Sequence, residues 1–347
     1  MGGTTLWIML LSLLSLLESN FSIDMTFVGD AMQHGPQIKA AYRADGTYDY
    51  SQCFKYVESD IRDADYAVVN LECPLGGKPY TGYPAFSAPD EYAAELKRVG
   101  FDLFTTANNH CLDRHDRGLM RTLNVLDSLG VAHVGTYRDM ADRGRALPKV
   151  VDVKGVKIGF LSYTYGTNGI PVQRDAVVDL IDRKQIAWDI KAARRAGAQL
   201  MCVCMHWGIE YVLKPVAEQR ALADFLVSQG VDLIIGSHPH VVEPWEIRYS
   251  PEHGKKVLVV YSLGNFISNQ TTIDSRGGAM VKVRIDISGE RPEVRDAECK
   301  LFFVQKPRGG GENYVLIPEG REDLLRADSK GEYATFMSRT RKTLGRE

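Results

Sequence analysis

Gly236-Ser237-His238-Pro239-His240 follows directly on the apolar run Val231-Asp232-Leu233-Ile234-Ile235, so two imidazoles stand where a buried strand breaks into a loop. Four more apolar runs lead into polar clusters in the same way. Met25-Thr26-Phe27-Val28 runs into Gly29-Asp30, Tyr66-Ala67-Val68-Val69 into Asn70-Leu71-Glu72, Phe101-Asp102-Leu103-Phe104 into the cluster Asn108-Asn109-His110, and Leu200-Met201-Cys202-Val203-Cys204 into His206-Trp207-Gly208. Ligands of open α/β sheets bind beyond the carboxyl ends of the strands. Five strands that each deliver Asp, Glu, Asn or His to that edge therefore point to a metal site in an α/β hydrolase-type protein.

From Ile23 onward, β-rich runs alternate with stretches of helical spacing, the pattern of a layered α/β fold. Strands are predicted at 23–29, 65–70, 101–105, 131–134, 148–153, 156–163, 199–206 and 232–236, and helices at 51–63, 90–98, 116–129, 182–196 and 216–229. Lys154-Gly155 between two apolar runs marks a tight hairpin. Beyond the two-histidine loop, Trp245-Glu246-Ile247, Val257–Tyr261 and Met280–Ile285 read as successive strands. Two sheets packed face to face with helices outside would close a single domain over 23–306, leaving 307–347 as a polar, peripheral helical tail.

A net charge of −2 gives no electrostatic footprint for nucleic acid or for an anionic membrane surface. The six cysteines include no Cys-x-x-Cys pair, which removes zinc-finger and dithiol redox readings. Cys202 and Cys204 share one strand face, and all six are expected to be ordinary buried residues. Residues 1–22 carry an apolar run of signal-peptide length, too short to span a bilayer comfortably. No Lys or Arg precedes it and no small-x-small cleavage site follows. An export signal or an uncleaved N-terminal anchor is expected, with an apolar helix as the alternative.

Asp30, Glu72, Asn109, His206, His238 and His240 supply carboxylate, amide and imidazole donors, a set that favours Mn, Fe or Zn over Ca or a thiolate-bound metal. Glu72 is by position the bridging carboxylate, able to hold two divalent ions about 3.5–4 Å apart. Taken singly, a strand-end histidine is more often a hydrogen-bonded core residue, and Asp or Asn a turn residue. The joint pattern is what carries the metal reading. His110 follows Asn109 directly, so its side chain aims elsewhere, toward substrate, as general acid or transition-state stabiliser. Asp113 either orients that imidazole or begins the next helix. His34 is a further ligand or substrate contact, or else a solvated helix-end histidine. Trp207, Glu210 and Tyr211 shape the pocket rim or simply pack, and Asn265 in Ser262-Leu263-Gly264-Asn265-Phe266 backs the site.

Six segments together resemble the capsule-synthesis CapA family, the poly-γ-glutamate synthesis and export proteins whose fold is that of the calcineurin-like metallophosphoesterases. They are Phe27-Val28-Gly29-Asp30-Ala31-Met32, Asn70–Leu75, Ala107–Asp113, His206–Tyr211, Gly236–Val241 and Ser262–Phe266. The resemblance implies a four-layer sandwich of two mixed β-sheets flanked by helices, and an extracytoplasmic role at the bacterial cell envelope, membrane-anchored or secreted. The chain departs from the pattern at Met32, where a histidine normally follows the first aspartate by two residues, which implies a weak or missing first metal. Glu72 replaces a bridging aspartate, Arg114-His115 stand where a glycine is common, and Glu243 stands near a usual glutamine.

Two functional expectations follow. One is a two-metal hydrolase of a phosphoester or γ-glutamyl amide, with His110 protonating the leaving group and an anionic polymer or phosphoester as substrate. The other is a non-catalytic polymer-assembly or export component working with membrane-bound capsule-synthesis subunits. A polysaccharide- or peptidoglycan-binding module is a third, and its binding would survive loss of His110.

Overall fold

Strand β1 (Ser22–Ala31) is the axis of the molecule, hydrogen-bonded on one side to β2 (Tyr66–Leu71) in parallel and on the other to β14 (Gly277–Asp286) in antiparallel. This computed structural model describes residues 22–346, so the export-signal or anchor segment lies outside the described residues except for Ser22, which opens β1. Beyond β2 the first sheet continues in parallel through β3 (Leu103–Thr105) and β4 (Ala132–Val134). Beyond β14 it continues in antiparallel through β15 (Glu293–Gln305) and β16 (Val315–Pro318). The short β13 (Asn265–Ile267) joins the carboxyl end of β1.

The second sheet runs β11 (Trp245–Ser250), β12 (Lys255–Val260), β10 (Leu233–Ser237), β9 (Leu200–His206), β7 (Val156–Thr164), β6 (Lys149–Val153). Its four central strands are parallel and both edges antiparallel, so both sheets are mixed. A two-stranded ribbon, β5 (Thr136–Tyr137) with β8 (Val177–Val178), lies apart from them.

Side-chain alternation along each strand sorts the core into layers. Met25 and Phe27 of β1 meet Phe160, Cys202 and Leu233 between the sheets. On β9 the intervening Met201, Val203 and Met205 face outward against Ile186 and Ile190 of α6 (Arg183–Arg195) and Leu222 and Leu226 of α7 (Ala217–Ser228). Outside the first sheet, Ala41 of α1 (Gly35–Ala41), Ile61 of α2 (Glu58–Arg62) and Tyr92 and Leu96 of α3 (Asp90–Arg98) pack with Phe104. The chain therefore adopts helix, sheet, sheet, helix, the four-layer sandwich expected. All six cysteines are buried and free.

Three expectations need correction. The helix predicted over 51–63 shrinks to Glu58–Arg62. Ser51 donates to Asp49 Oδ1 instead (2.9 Å), the Cys53 carbonyl accepts from Leu316 (3.0 Å), and Phe54 stacks on Phe266 at 5.2 Å, so tertiary anchoring overrides the periodicity. Elements without a sequence counterpart include α1, β5, β8, β16, the long strand β15 and α5 (Met140–Ala146), which Asp139 caps by accepting from Asp142 N. The segment after 306 is helical at α8 (Lys330–Thr343) but is not peripheral. It contributes β16 to the sheet, and Tyr333, Phe336 and Met337 are buried against Phe303. Between α3 and α5 in the chain lies α4 (His115–Leu129), close to its predicted span.

Candidate metal centre

Every expected ligand lies at the carboxyl edge of one of the two sheets. Asp30 sits near the end of β1, where the pairing with β2 shifts register. The shift depends on Gly29: a Cβ there would lie 1.9 Å from Gly264 O, so only glycine lets the start of β13 close on β1. Glu72 follows β2, Asn109 and His110 follow β3, His206 closes β9, and His238 and His240 follow β10. Both last histidines adopt left-handed backbone, φ 99° and 59°, a conformation that costs a non-glycine residue of order 1–3 kcal/mol and persists where its surroundings enforce it. Part of that enforcement is the His238 N–H, which donates to Asp30 Oδ2 at 3.3 Å.

The ligand atoms of Asp30, Glu72 and His206 lie within 4.8 Å of one another, and so do those of Glu72, His238 and His240. Glu72 belongs to both groups, with Oε1 3.5 Å from His206 Nε2 and 3.7 Å from His240 Nε2. Asn109 joins through Oδ1, which accepts from His206 Nε2 at 2.7 Å. All six residues are buried.

Within this cluster most polar atoms are satisfied and a few are conspicuously not. Asp30 accepts from Asn70 Nδ2 (2.8 Å) and His240 Nδ1 (3.0 Å). Burial, the largest single influence, would raise its pKa, but His240, His206 and Asn70 together outweigh it and hold the carboxyl well below its usual range. Both carboxylate oxygens of Glu72 and Nδ1 of His238 are buried with no hydrogen-bond partner. Burial, reinforced by the Asp30 charge, pushes the Glu72 carboxyl well up. Burial also lowers His238 to about 3 and His206 well below its usual value, leaving neutral imidazoles of the kind metals require. Orphaned carboxylate and imidazole atoms converging inside a buried cluster fit a divalent cation in both donor chemistry and disposition.

A cleft of about 230 Å³ opens over the centre, lined by Met32, His34, His110, Tyr211 and His240 among others. His110 Nδ1 lies 2.8 Å from Asp113 Oδ2, which also accepts from Phe86 N–H at 2.8 Å. With Nδ1–H donated to Asp113, Nε2 is the free atom of this ring. The Phe86 ring stands edge-on between His110 (4.7 Å) and His34 (5.1 Å).

His34 lines the cleft but belongs to neither ligand group. Its Nδ1 is engaged by Gln37 Oε1 (3.1 Å) and Asn269 N (3.3 Å), and burial lowers its pKa to about 4. Trp207 packs, its Nε1 donating to Tyr261 O at 2.8 Å. Glu210 and Tyr211 are at the exposed rim. Asn265 pairs in register with Asp30 and donates to Gln270 and Ser275 O, with its amide oxygen left without a partner. Glu243 accepts from Gln219 Nε2 at 2.7 Å and belongs to neither ligand group.

Three contributors escaped sequence reasoning. Asn70 fixes Asp30, and it stood in plain view inside the Asn-Leu-Glu triplet. Ser237, between the glycine and the first histidine, donates to His206 Nδ1 at 3.0 Å. Asn168 accepts from Asn109 Nδ2 (3.2 Å) across 59 residues, a distance in sequence that leaves no local signal.

Comparison with known proteins bears on the same residues. Residues 24–270 match the model of the family described as bacterial capsule synthesis protein PGA_cap. The capsule biosynthesis protein CapA of Bacillus anthracis is 29% identical over 285 residues, covering 78% of this chain and 66% of that protein. The PGA biosynthesis protein CapA of Bacillus subtilis (strain 168) is 28% identical over 272 residues, covering 77% and 69%. The match thus spans about two thirds of the length of these relatives. Among solved structures, the Haemophilus influenzae NAD nucleotidase NadN superposes with a TM-score of 0.53 at 14% identity, covering 92% of this chain and 62% of that one. That likeness is one of fold.

Proposed function

Because the chain belongs to the bacterial capsule synthesis protein family PGA_cap, we propose that it acts in capsule or poly-γ-glutamate biosynthesis as a metal-dependent hydrolase of a phosphoester or a γ-glutamyl amide. The observation that carries the reading is Glu72: a buried carboxylate without a hydrogen bond, shared by two groups of converging ligand atoms. Asp30, Glu72, Asn109, His206, His238 and His240 would hold two divalent ions, of Mn, Fe or Zn. Bound there, such ions lower the pKa of water and neutralise charge on a substrate oxygen.

The rest of the chemistry belongs to the chain's own side chains. His110, open at Nε2 and lining the cleft, delivers a proton from that nitrogen to the leaving atom when its ring is protonated at both nitrogens, with the Nδ1–H held by Asp113. Asp113 holds the opposite nitrogen as the donor and so fixes the ring's tautomer and direction. Phe86 wedges that ring from the side and keeps water from its flank. Asn70 and Ser237 hold Asp30 and His206 in place.

The family points to the cell envelope, and a membrane-anchored or secreted state, with an anionic polymer and membrane-bound capsule-synthesis subunits as partners, is part of the proposal. No helix among the described residues is long and apolar enough to cross a membrane. One observation favours a second reading: Met32, buried at the cleft, offers a thioether where a metal-ligating histidine would be expected, as a subunit that keeps the fold without catalysis would have. Elemental mass spectrometry of the 23–347 fragment, paired with p-nitrophenyl mono- and diester turnover by wild type and His110→Ala, separates the two. Close to two metals per chain with His110-dependent turnover supports the hydrolase. No metal and no turnover moves the function to polymer assembly or export.

A further inference from the structure

We propose that a tyrosine-lined groove next to the cleft is a subsite for an acidic glycan chain, reached from the metal centre across a saddle of two glycines. The hydrolase reading matters only for what happens at the far end of that chain; binding in the groove stands by itself.

The groove, about 870 Å³, is lined by Ile38, Lys39, Tyr42, Tyr48, Lys78 and Tyr80. Tyr48 packs against Tyr42 (centroids 5.4 Å, planes at 58°) and against Tyr80 (5.3 Å, 87°), which fixes three rings as one wall. Tyr42 is 53% exposed, a large aromatic that no element among the described residues covers. The Lys78 ammonium stands 6.0 Å above the Tyr80 ring. Among the described residues neither Lys39 nor Lys78 pairs with a carboxylate, whereas the nearby Arg43 and Arg121 are paired with Asp49 and Asp90.

Rigid aromatic faces take up the flat apolar faces of sugar rings at little entropic cost. Two ammonium groups beside three rings, partly offset by the Glu91 carboxylate that acts on Tyr48 and Tyr80, give a low density of positive charge. That suits a chain of rings carrying spaced carboxylates. A γ-linked polyglutamate has a carboxylate on every residue and no ring, so it would use little of this wall and would meet too few cations.

The groove and the cleft are lined by neighbouring residues of the same segments. One loop supplies Lys78 and Tyr80 to the groove and Tyr83 to the cleft, and α1 begins with His34 on the cleft side and Gly35 on the groove side. Where loop and helix meet, a Cβ on Gly82 would lie 2.2 Å from Gly35 N, while a Cβ on Gly35 would meet nothing within 4 Å. The divide is bare backbone, low enough for a polymer to lie across it.

The test is calorimetric titration of the full chain with three probes of matched length: an alternating hexuronic acid and N-acetylhexosamine oligosaccharide, a neutral N-acetylglucosamine oligomer, and γ-linked oligoglutamate. The acidic glycan is expected to bind, and Tyr80→Ala and Lys78→Ala each to weaken it roughly three- to tenfold. Tyr80→Phe should retain affinity, which separates loss of the ring from loss of the fold. Absence of glycan binding, tighter binding of either other probe, or full affinity in Tyr80→Ala overturns the proposal. The glycan should also inhibit p-nitrophenyl ester turnover in wild type but not in Gly35→Leu, which raises the saddle; inhibition that survives Gly35→Leu overturns the crossing. If no ester is turned over at all, the hydrolase reading fails while the titrations still decide the groove.

Discussion

Glu72→Gln should act with opposite sign on the metal-free and the metal-loaded protein. Neither Glu72 oxygen has a hydrogen bond to lose, and the residue is fully buried close to Asp30. Replacing such a carboxyl by an amide of the same shape removes a desolvated acid without breaking a pair, so metal-free Glu72→Gln should be as stable as wild type or up to about 2 kcal/mol more stable. With metal, a site filled at a hundredfold excess over its Kd adds about 2.7 kcal/mol. At roughly 2 °C per kcal/mol for a chain this long, one filled site raises Tm by about 5 °C and two by about 10 °C. Glu72 is common to both ligand groups, so the variant should forfeit most of that rise. The assay is differential scanning calorimetry at neutral pH in chelator and then in excess Mn²⁺. A variant whose metal-free Tm falls several degrees below wild type, or whose Mn²⁺ shift is undiminished, would refute the shared-carboxylate reasoning.

Asp113→Asn should lower kcat for p-nitrophenyl diesters by about 10²-fold or more with metal content unchanged, since His110 loses the group that fixes its tautomer; equal kcat in the two proteins removes His110 from the chemistry. Gly236→Ala should destabilise by about 3 kcal/mol in urea unfolding, because its Cβ would fall 1.9 Å from Tyr261 O, and an unchanged midpoint would contradict that packing. Burial pushes the Glu243 carboxyl up to about 7, so the stability it contributes is whole below its ordinary value near 4.5 and is lost as pH rises through 7. Glu243→Gln should therefore gain on wild type between pH 5 and 8 by roughly 3 kcal/mol in urea midpoints, and a pH-independent difference would count against it.

The layers and the gathering of the six candidate residues at the strand ends were legible because both rest on local pattern. Period-two alternation along Leu200–His206 gave β9 and its two faces, and the polar residues of the edge stand directly after such runs. What escaped was non-local. The 51–63 stretch has helical spacing, yet Phe54 and Cys53 are anchored by residues 266 and 316, and the chain gives up helical bonds to reach them. Strand β15 was hidden by exposed charges such as Arg295 and Lys300 on its outer positions, although Val294, Cys299, Leu301 and Phe303 pack inward. The tail looked polar because only one side of α8 is apolar. In the site, Asn168 and Phe86 come from loops without periodicity, and His34 separates from the ligands through its bond to Gln37, which sequence spacing alone does not reveal.

The position of β1 sets a timetable for this protein. Its neighbours in the sheet come from residues 66–71 on one flank and 277–286 on the other, and Asp30 at its tip waits for Gly264, Asn265 and His240. During N-to-C synthesis the first ligand is made hundreds of residues before the strand that seals it, and pairing over such spans is slow. Any early fragment carries Asp30 and Glu72 as loose acids with no cage around them. A metal bound at this centre would therefore be taken up as one of the last events of folding, and the compartment that holds the finished chain would decide which ion it meets.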